Sequence, residues 1–205
     1  FTYTLNEGTL AENYEINPVY GTLTVTKSTK AITISSDSKG WKYDGSDHSY
    51  EKYTVTYGDE TIEGTEGQVE FTLSTGDKIT ISNGASVKNV SDTAAKNNTY
   101  DYELTNADQY ETVTASYGTL TITARNVTLT SADDTKEYDG SPLTNSTVTV
   151  SGDGFVSGEG ATYNVTGSQT EVGGEAKNNT FTYTLNEGTL AENYEINPVY
   201  GTLTV

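Results

Sequence analysis

The sequence predicts an all-β chain made of small antiparallel modules set end to end as a rod. Three observations carry that expectation: an internal repeat, a period-two alternation of apolar and polar residues, and the lack of any sustained helical period. The repeat is the most decisive. Phe1 to Val25 and Phe181 to Val205 both read FTYTLNEGTLAENYEINPVYGTLTV, 180 residues apart and without one difference. Identity over that length is not chance, so the chain reads as a window on a tandem array.

A looser echo divides the period. Lys96–Leu104 (KNNTYDYEL) matches Lys177–Leu185 (KNNTFTYTL), 81 residues on, and Tyr117–Ile122 matches Tyr200–Val205, 83 residues on. Tyr43-Asp44-Gly45-Ser46 recurs as Tyr138-Asp139-Gly140-Ser141. We therefore expect residues 1–25 to be the closing strands of a preceding repeat module, 26–124 a longer β module and 125–205 a shorter one. A cut before Phe1, with residues 181–205 left over, fits the repeat equally well. On the first phase, residues 1–25 expose an apolar face and unpaired edges unless β structure covers them. That cover is expected from a neighbouring copy or from the adjacent module.

The alternation runs along the whole chain. Phe1, Tyr3 and Leu5 share one strand face, as do Tyr14 with Ile16 and Leu23 with Val25. Asn6-Glu7-Gly8 is a turn signal, Leu10–Asn13 suits one helical turn, and Pro18 marks an edge or a kink. In the longer module Ile32 and Ile34 open a strand. Tyr53, Val55 and Tyr57 follow, then Val69, Phe71 and Leu73, and then Ile79 and Ile81. Thr75-Gly76-Asp77 reads as the hairpin turn between the last two runs. Tyr100, Tyr102 and Leu104, then Val113, then Leu120 and Ile122 complete it. In the shorter module the pairs are Val127 and Leu129, Val148 and Val150, Tyr163 and Val165, and then Phe181, Tyr183 and Leu185. The Asp-Gly pairs at 44–45 and 139–140 fit tight turns, where glycine accepts positive φ. Seven or so short strands per module point first to an immunoglobulin-like sandwich. The alternative is a β-grasp-like sheet with one short helix near Gly154 to Tyr163.

Composition narrows the class. The chain has no Cys and no Met, with 33% hydrophobic residues, 16 Tyr and a formal net charge of −18. Without cysteine no disulfide framework is possible. Strong negative charge disfavours nucleic acid and anionic membranes as partners, and no apolar run suited to membrane insertion is visible in this segment. Disordered acidic chains lack aromatic and β-branched residues, whereas this one is rich in both.

Particular segments carry a family resemblance. Lys136–Leu143, Gly154–Gly158, and Ala191–Ile196 followed by Tyr200–Val205 resemble the MBG-type and YDG-type tandem repeats of bacterial cell-surface adhesins. The longer module departs from that pattern, with Asp108-Gln109-Tyr110 where the shorter one has Glu192-Asn193-Tyr194. The resemblance implies an exported protein at the bacterial cell surface or cell wall, and it brings no catalytic residues with it.

Side-chain chemistry agrees with a non-catalytic reading. His48 is the only histidine, beside Asp47, and neither a Ser-His-Asp set nor a histidine metal cluster forms from one residue. Glu63 with Glu66, and Asp133 with Asp134 near Asp139, are carboxylate groupings that composition alone yields among 29 acidic residues. Six Asn-X-Ser/Thr sequons, Asn97 and Asn178 among them, follow from threonine richness. Lys42 and Lys136 lie among polar residues, so no intramolecular isopeptide or ester cross-link is expected. No catalytic, cofactor or metal residue is assigned. Trp41 and Tyr43 are the candidate ligand contacts, because an exposed indole beside a phenol can stack on a sugar ring. The competing expectation for Trp41 is a cover over the end of a small core.

Two functions fit these readings. One is a stalk segment of a surface adhesin or filament, whose partners are neighbouring copies of the same repeat. The other is a module that itself binds mucin, glycan or a host protein. The unbroken duplication favours the stalk, because length then scales with copy number.

Overall fold

Short alternating runs of β-branched and aromatic residues build strands rather than helices. The computed structural model, which describes residues 1–205, is all-β. Its helical segments are four three-residue 3-10 turns at Ala11–Asn13, Val90–Asp92, Ala107–Gln109 and Ala191–Asn193. The turn expected after Leu10 is the first of these. No helix lies near Gly154 to Tyr163, where the alternative fold needs one. That stretch holds turns with Gly154 and Gly158 at positive φ, and then a strand begins.

Eleven strands precede residue 124. They are β1 (Ile32–Ser36), β2 (Lys39–Lys42), β3 (His48–Ser49), β4 (Tyr53–Tyr57), β5 (Glu60–Glu63) and β6 (Glu70–Thr72). After them come β7 (Lys78–Ser82), β8 (Ser86–Val87), β9 (Asp101–Leu104), β10 (Val113–Ser116) and β11 (Leu120–Thr123). Seven follow: β12 (Arg125–Ser131), β13 (Asp134–Thr135), β14 (Val148–Gly152), β15 (Ala161–Val165), β16 (Phe181–Leu185), β17 (Tyr194–Val199) and β18 (Leu203–Thr204).

The two halves share a plan. β1 lies between β4, antiparallel with Ile32 opposite Tyr57, and β10, parallel with Ile32 opposite Val113. β12 lies in the same way between β14, antiparallel, and β17, parallel with Arg125 opposite Tyr194. A second parallel pair follows in each half, β2 with β11 and β13 with β18. The antiparallel expectation therefore holds for most ladders but misses these four. The reason is non-local: each half closes by bringing its last strands back beside its first. Pro198 fits because β17 is an edge strand, where a missing amide breaks no ladder. The hairpin expected at Thr75–Asp77 is present between β6 and β7, with Gly76 at φ +91°.

Two apolar clusters hold the chain together. The first contains Ile32, Ile34, Tyr53, Val55, Phe71 and Ile79, and is drawn from β1, β4, β6 and β7. The second contains Tyr43, Val87, Leu120 and Ile122 from before residue 124, and Val127, Leu129, Phe181 and Tyr194 from after it. The core thus runs through the junction of the two halves.

Residues 1–25 correct one expectation. The strands predicted at Phe1–Leu5, Tyr14–Ile16 and Leu23–Val25 are absent, and the adjacent half does not cover them. Phe1 is 76% and Leu23 100% exposed, whereas their counterparts Phe181 and Leu203 are 4% and 0% exposed. Sequence is identical, so the difference is tertiary. β16, β17 and β18 each lie against a strand of their own half, and residues 1–25 have no such partner.

Candidate functional site

β2 alternates, placing Trp41 and Tyr43 on one face and Lys42 on the other. Trp41 is half-buried against the second apolar cluster, and its indole stacks on the His48 ring at 4.8 Å and 19°. Lys39 Nζ lies over both the Trp41 and Tyr50 rings, at 5.6 and 4.3 Å. Tyr43 is buried, at 3% exposure, so its ring offers no face to a ligand. The structure places the two sequence candidates on adjoining ground but gives only Trp41 access to solvent.

Tyr43 instead belongs to a joint between the halves. Its hydroxyl donates to Glu159 Oε1 at 2.5 Å, and the Tyr194 hydroxyl donates to Glu159 Oε2 at 2.7 Å. The two rings meet edge-on at 5.6 Å. Burial first, and then the Glu159 carboxylate, push the Tyr43 phenol up to about 12. Tyr194 is raised as well, again chiefly by burial. Around this centre Asn193 Oδ1 accepts from Val90 N at 2.9 Å, and Asn193 Nδ2 donates to Asn89 Oδ1 at 3.0 Å. Lys42 Nζ meets Asp153 at 2.7 Å. The Arg125 guanidinium donates to the carbonyls of Tyr43, Asp153 and Gly154.

A second constellation occurs twice. Ser36 Oγ donates to Asn98 O at 2.6 Å and accepts from Gly118 N at 3.0 Å, while Asn98 Nδ2 donates to the carbonyls of Asp37 and Tyr50. Ser131, Asn179 and Gly201 repeat it, with the carbonyls of Ala132 and Asn145 as acceptors. The neighbouring asparagines act as strand surrogates. Asn97 pairs through Oδ1 and Nδ2 with the backbone of Leu120, and Asn178 does the same with Leu203. Lys96 and Lys177 turn the chain into this clamp at φ 60° and 63°. Gly118 and Gly201 must be glycine, because a Cβ there would stand 2.3 Å from Asp37 O and 2.4 Å from Ala132 O. The two sequons at Asn97 and Asn178 are therefore parts of the clamp. Sequence reasoning saw these residues as a repeat and as sequons; the signal for their role was the recurrence of Lys-Asn-Asn-Thr ahead of Tyr-Gly-Thr-Leu-Thr. Nothing in the sequence pointed to Glu159.

The remaining candidates are engaged locally. Asp133 accepts from Thr202 N, Asp134 from Asn145 Nδ2, and Asp139 from Lys136 Nζ and Ser141. His48 Nε2 lies 3.0 Å from Asp44 Oδ1. No group of three or more His, Asp or Glu side chains converges as a metal donor set. Glu66 meets Lys39, while Glu63 pairs through its backbone with Thr54. Comparison with protein-family models, curated proteins and solved structures finds no match.

Proposed function

We propose that this chain is a non-catalytic tandem-repeat stalk segment of a bacterial surface adhesin or filament, extending a distal binding region from the cell. The observation that carries this reading is the doubled Ser-Asn-Gly clamp, Ser36/Asn98/Gly118 and Ser131/Asn179/Gly201, in a chain whose Gly201-bearing segment is itself an unbroken 25-residue duplicate of residues 1–25. Its twice-used hydrogen bonds tie strand to strand within each half, which serves closure of the fold rather than a ligand. The joint supports the same reading, because an apolar cluster shared by both halves, together with the hydrogen bonds of Glu159 and Asn193 across it, resists hinging. Each half is then an immunoglobulin-like sandwich module and successive modules form a rod. Support for the sandwich comes from the sheets β10-β1-β4-β5 and β6-β7-β9, which share the first apolar cluster. Direct binding of mucin or glycan has less support, since Tyr43 is buried and Lys136 stands in the second half where Trp41 stands in the first. Small-angle scattering on chains of one, two and three 180-residue periods tests the proposal. The maximum dimension should grow in equal steps; a value that stays nearly constant refutes the stalk. Binding of a single period to a glycan array would favour the second function.

A further inference from the structure

β16 has one open side. It pairs only with β15, in a two-stranded sheet. Thr166 N donates to Thr180 O, and Asn186 N donates to Gly160 O, so the even-numbered residues of this run turn their backbone groups toward β15. In an antiparallel ladder the residues between them point the other way. Asn179 marks that other side, because its N–H donates to Gly201 O. Beyond it, Phe181, Tyr183 and Leu185 present a row of N–H and C=O groups along which no ladder runs. Such a row is a template for another strand.

The side chains of β16 suit a second copy of the same strand. Phe181-Thr-Tyr-Thr-Leu185 is nearly symmetrical about Tyr183 and uncharged, in a chain of net charge −18. We infer that β16 pairs antiparallel with β16 of a second copy of this chain, across a two-fold axis at Tyr183. In that register Tyr183 faces the second copy's Tyr183, and Phe181 faces its Leu185. All of these residues have their backbone groups turned toward the partner, so each facing pair exchanges both N–H···O bonds. Thr182 faces the second copy's Thr184; both are exposed, and threonine pairs are favourable across strands. The product is one continuous sheet, β15-β16-β16-β15. Tyr163 lies opposite Tyr183 in each copy, so the tyrosines form a row across it.

The first half shows the same edge closed by charge. β9 corresponds to β16, and its backbone has the same phase: Thr105 N donates to Lys78 O, and Ala85 N donates to Thr99 O, which leaves Tyr100, Tyr102 and Leu104 facing outward. Asp101 and Glu103, both exposed, stand where Thr182 and Thr184 stand in β16. Pairing about Tyr102 would set each Asp101 against a Glu103, and like charges directly opposite repel. The two edges differ in charge and not in backbone. Docking of the next half does not cover such an edge. The second half meets the first through Tyr43, Leu120, Ile122 and Asn89, and β9 stays open beside that joint. The inference stands apart from any role at a cell surface.

Sedimentation over a concentration series is the test. The chain should pass from one chain mass to twice that mass. Thr182→Asp/Thr184→Glu copies the residues of β9 onto exposed positions and should weaken the dimer about tenfold or more. Thr2→Asp/Thr4→Glu makes the same change in the identical run at residues 1–5 and should leave the dimer as it was. A disulfide reads the register. Thr182 and the second copy's Thr184 form a close, non-hydrogen-bonded pair. When Thr182→Cys and Thr184→Cys chains are mixed and oxidised in the folded state, heterodimers should exceed the two homodimers together. A chain that stays single at every concentration overturns the inference. So does a dimer indifferent to Thr182→Asp/Thr184→Glu, a dimer lost with Thr2→Asp/Thr4→Glu, or a yield of heterodimers no greater than that of homodimers.

Discussion

Asn179 donates from Nδ2 to the carbonyls of Ala132 and Asn145 at 2.8 and 3.1 Å, and its side-chain oxygen is buried without a partner. The residue is there for its two donors. Asn179→Ala leaves two part-buried carbonyls without their donor and should destabilise by about 1–3 kcal/mol in urea unfolding. Asn179→Asp should destabilise more, because it removes the donors and buries a charge. Equal sensitivity at an exposed asparagine such as Asn17 would contradict this reading. Tyr43 sets a pH window. Its phenol is held neutral and raised to about 12 by burial and by Glu159, above an unfolded value of about 10. The folded state binds this proton more tightly, so the contribution is fully present below pH 10 and is lost as pH rises through 12. Tyr43→Phe should flatten the alkaline loss of stability in that window, as read by circular dichroism against phenolate absorbance.

The closing strand is the element on which each half depends. Gly118→Ala drives a Cβ into Asp37 O and should cost about 3 kcal/mol or more; a wild-type urea midpoint would show that the clamp yields easily. Identical sequences also allow an internally controlled experiment. In dilute solution the amide of Leu203, which donates to Asn178 Oδ1, should be protected from hydrogen exchange, while that of Leu23 should exchange like unfolded chain. Similar protection at both would refute the observed difference. At this scale much was legible from local pattern. The hairpin at Thr75–Asp77 and the Asp-Gly turns, with Gly45 and Gly140 at φ 79° and 78°, follow from glycine chemistry within a few residues. The alternation located β1, β4, β7 and β12. What stayed hidden depends on residues far apart in the chain. The parallel return of β10 to β1 spans about eighty residues, and the Glu159 acceptor joins side chains over 100 residues apart. Residues 1–25 make the same point in reverse, because a strand pattern without a neighbour remains only a pattern. Among the candidate contacts, the alternation placed Trp41 and Tyr43 together but did not tell which lay beneath the surface.

In the whole molecule the second apolar cluster joins the halves, with Leu120 and Ile122 on one side of residue 124 and Val127 and Leu129 on the other. Leu129→Ala should therefore destabilise by about 2–5 kcal/mol and shift the unfolding curve read at Trp41, which lies in the other half. A Trp41 transition that does not move would mean that the halves melt independently. The parallel pairing of first and last strands has a mechanical consequence. β1 and β10 point the same way, as do β12 and β17. When the chain is pulled from its two ends, tension enters the first strand at its start and leaves the last at its finish. The paired strands are then drawn lengthwise past each other. Their cross-links share the load and break together, instead of opening one after another like a zip.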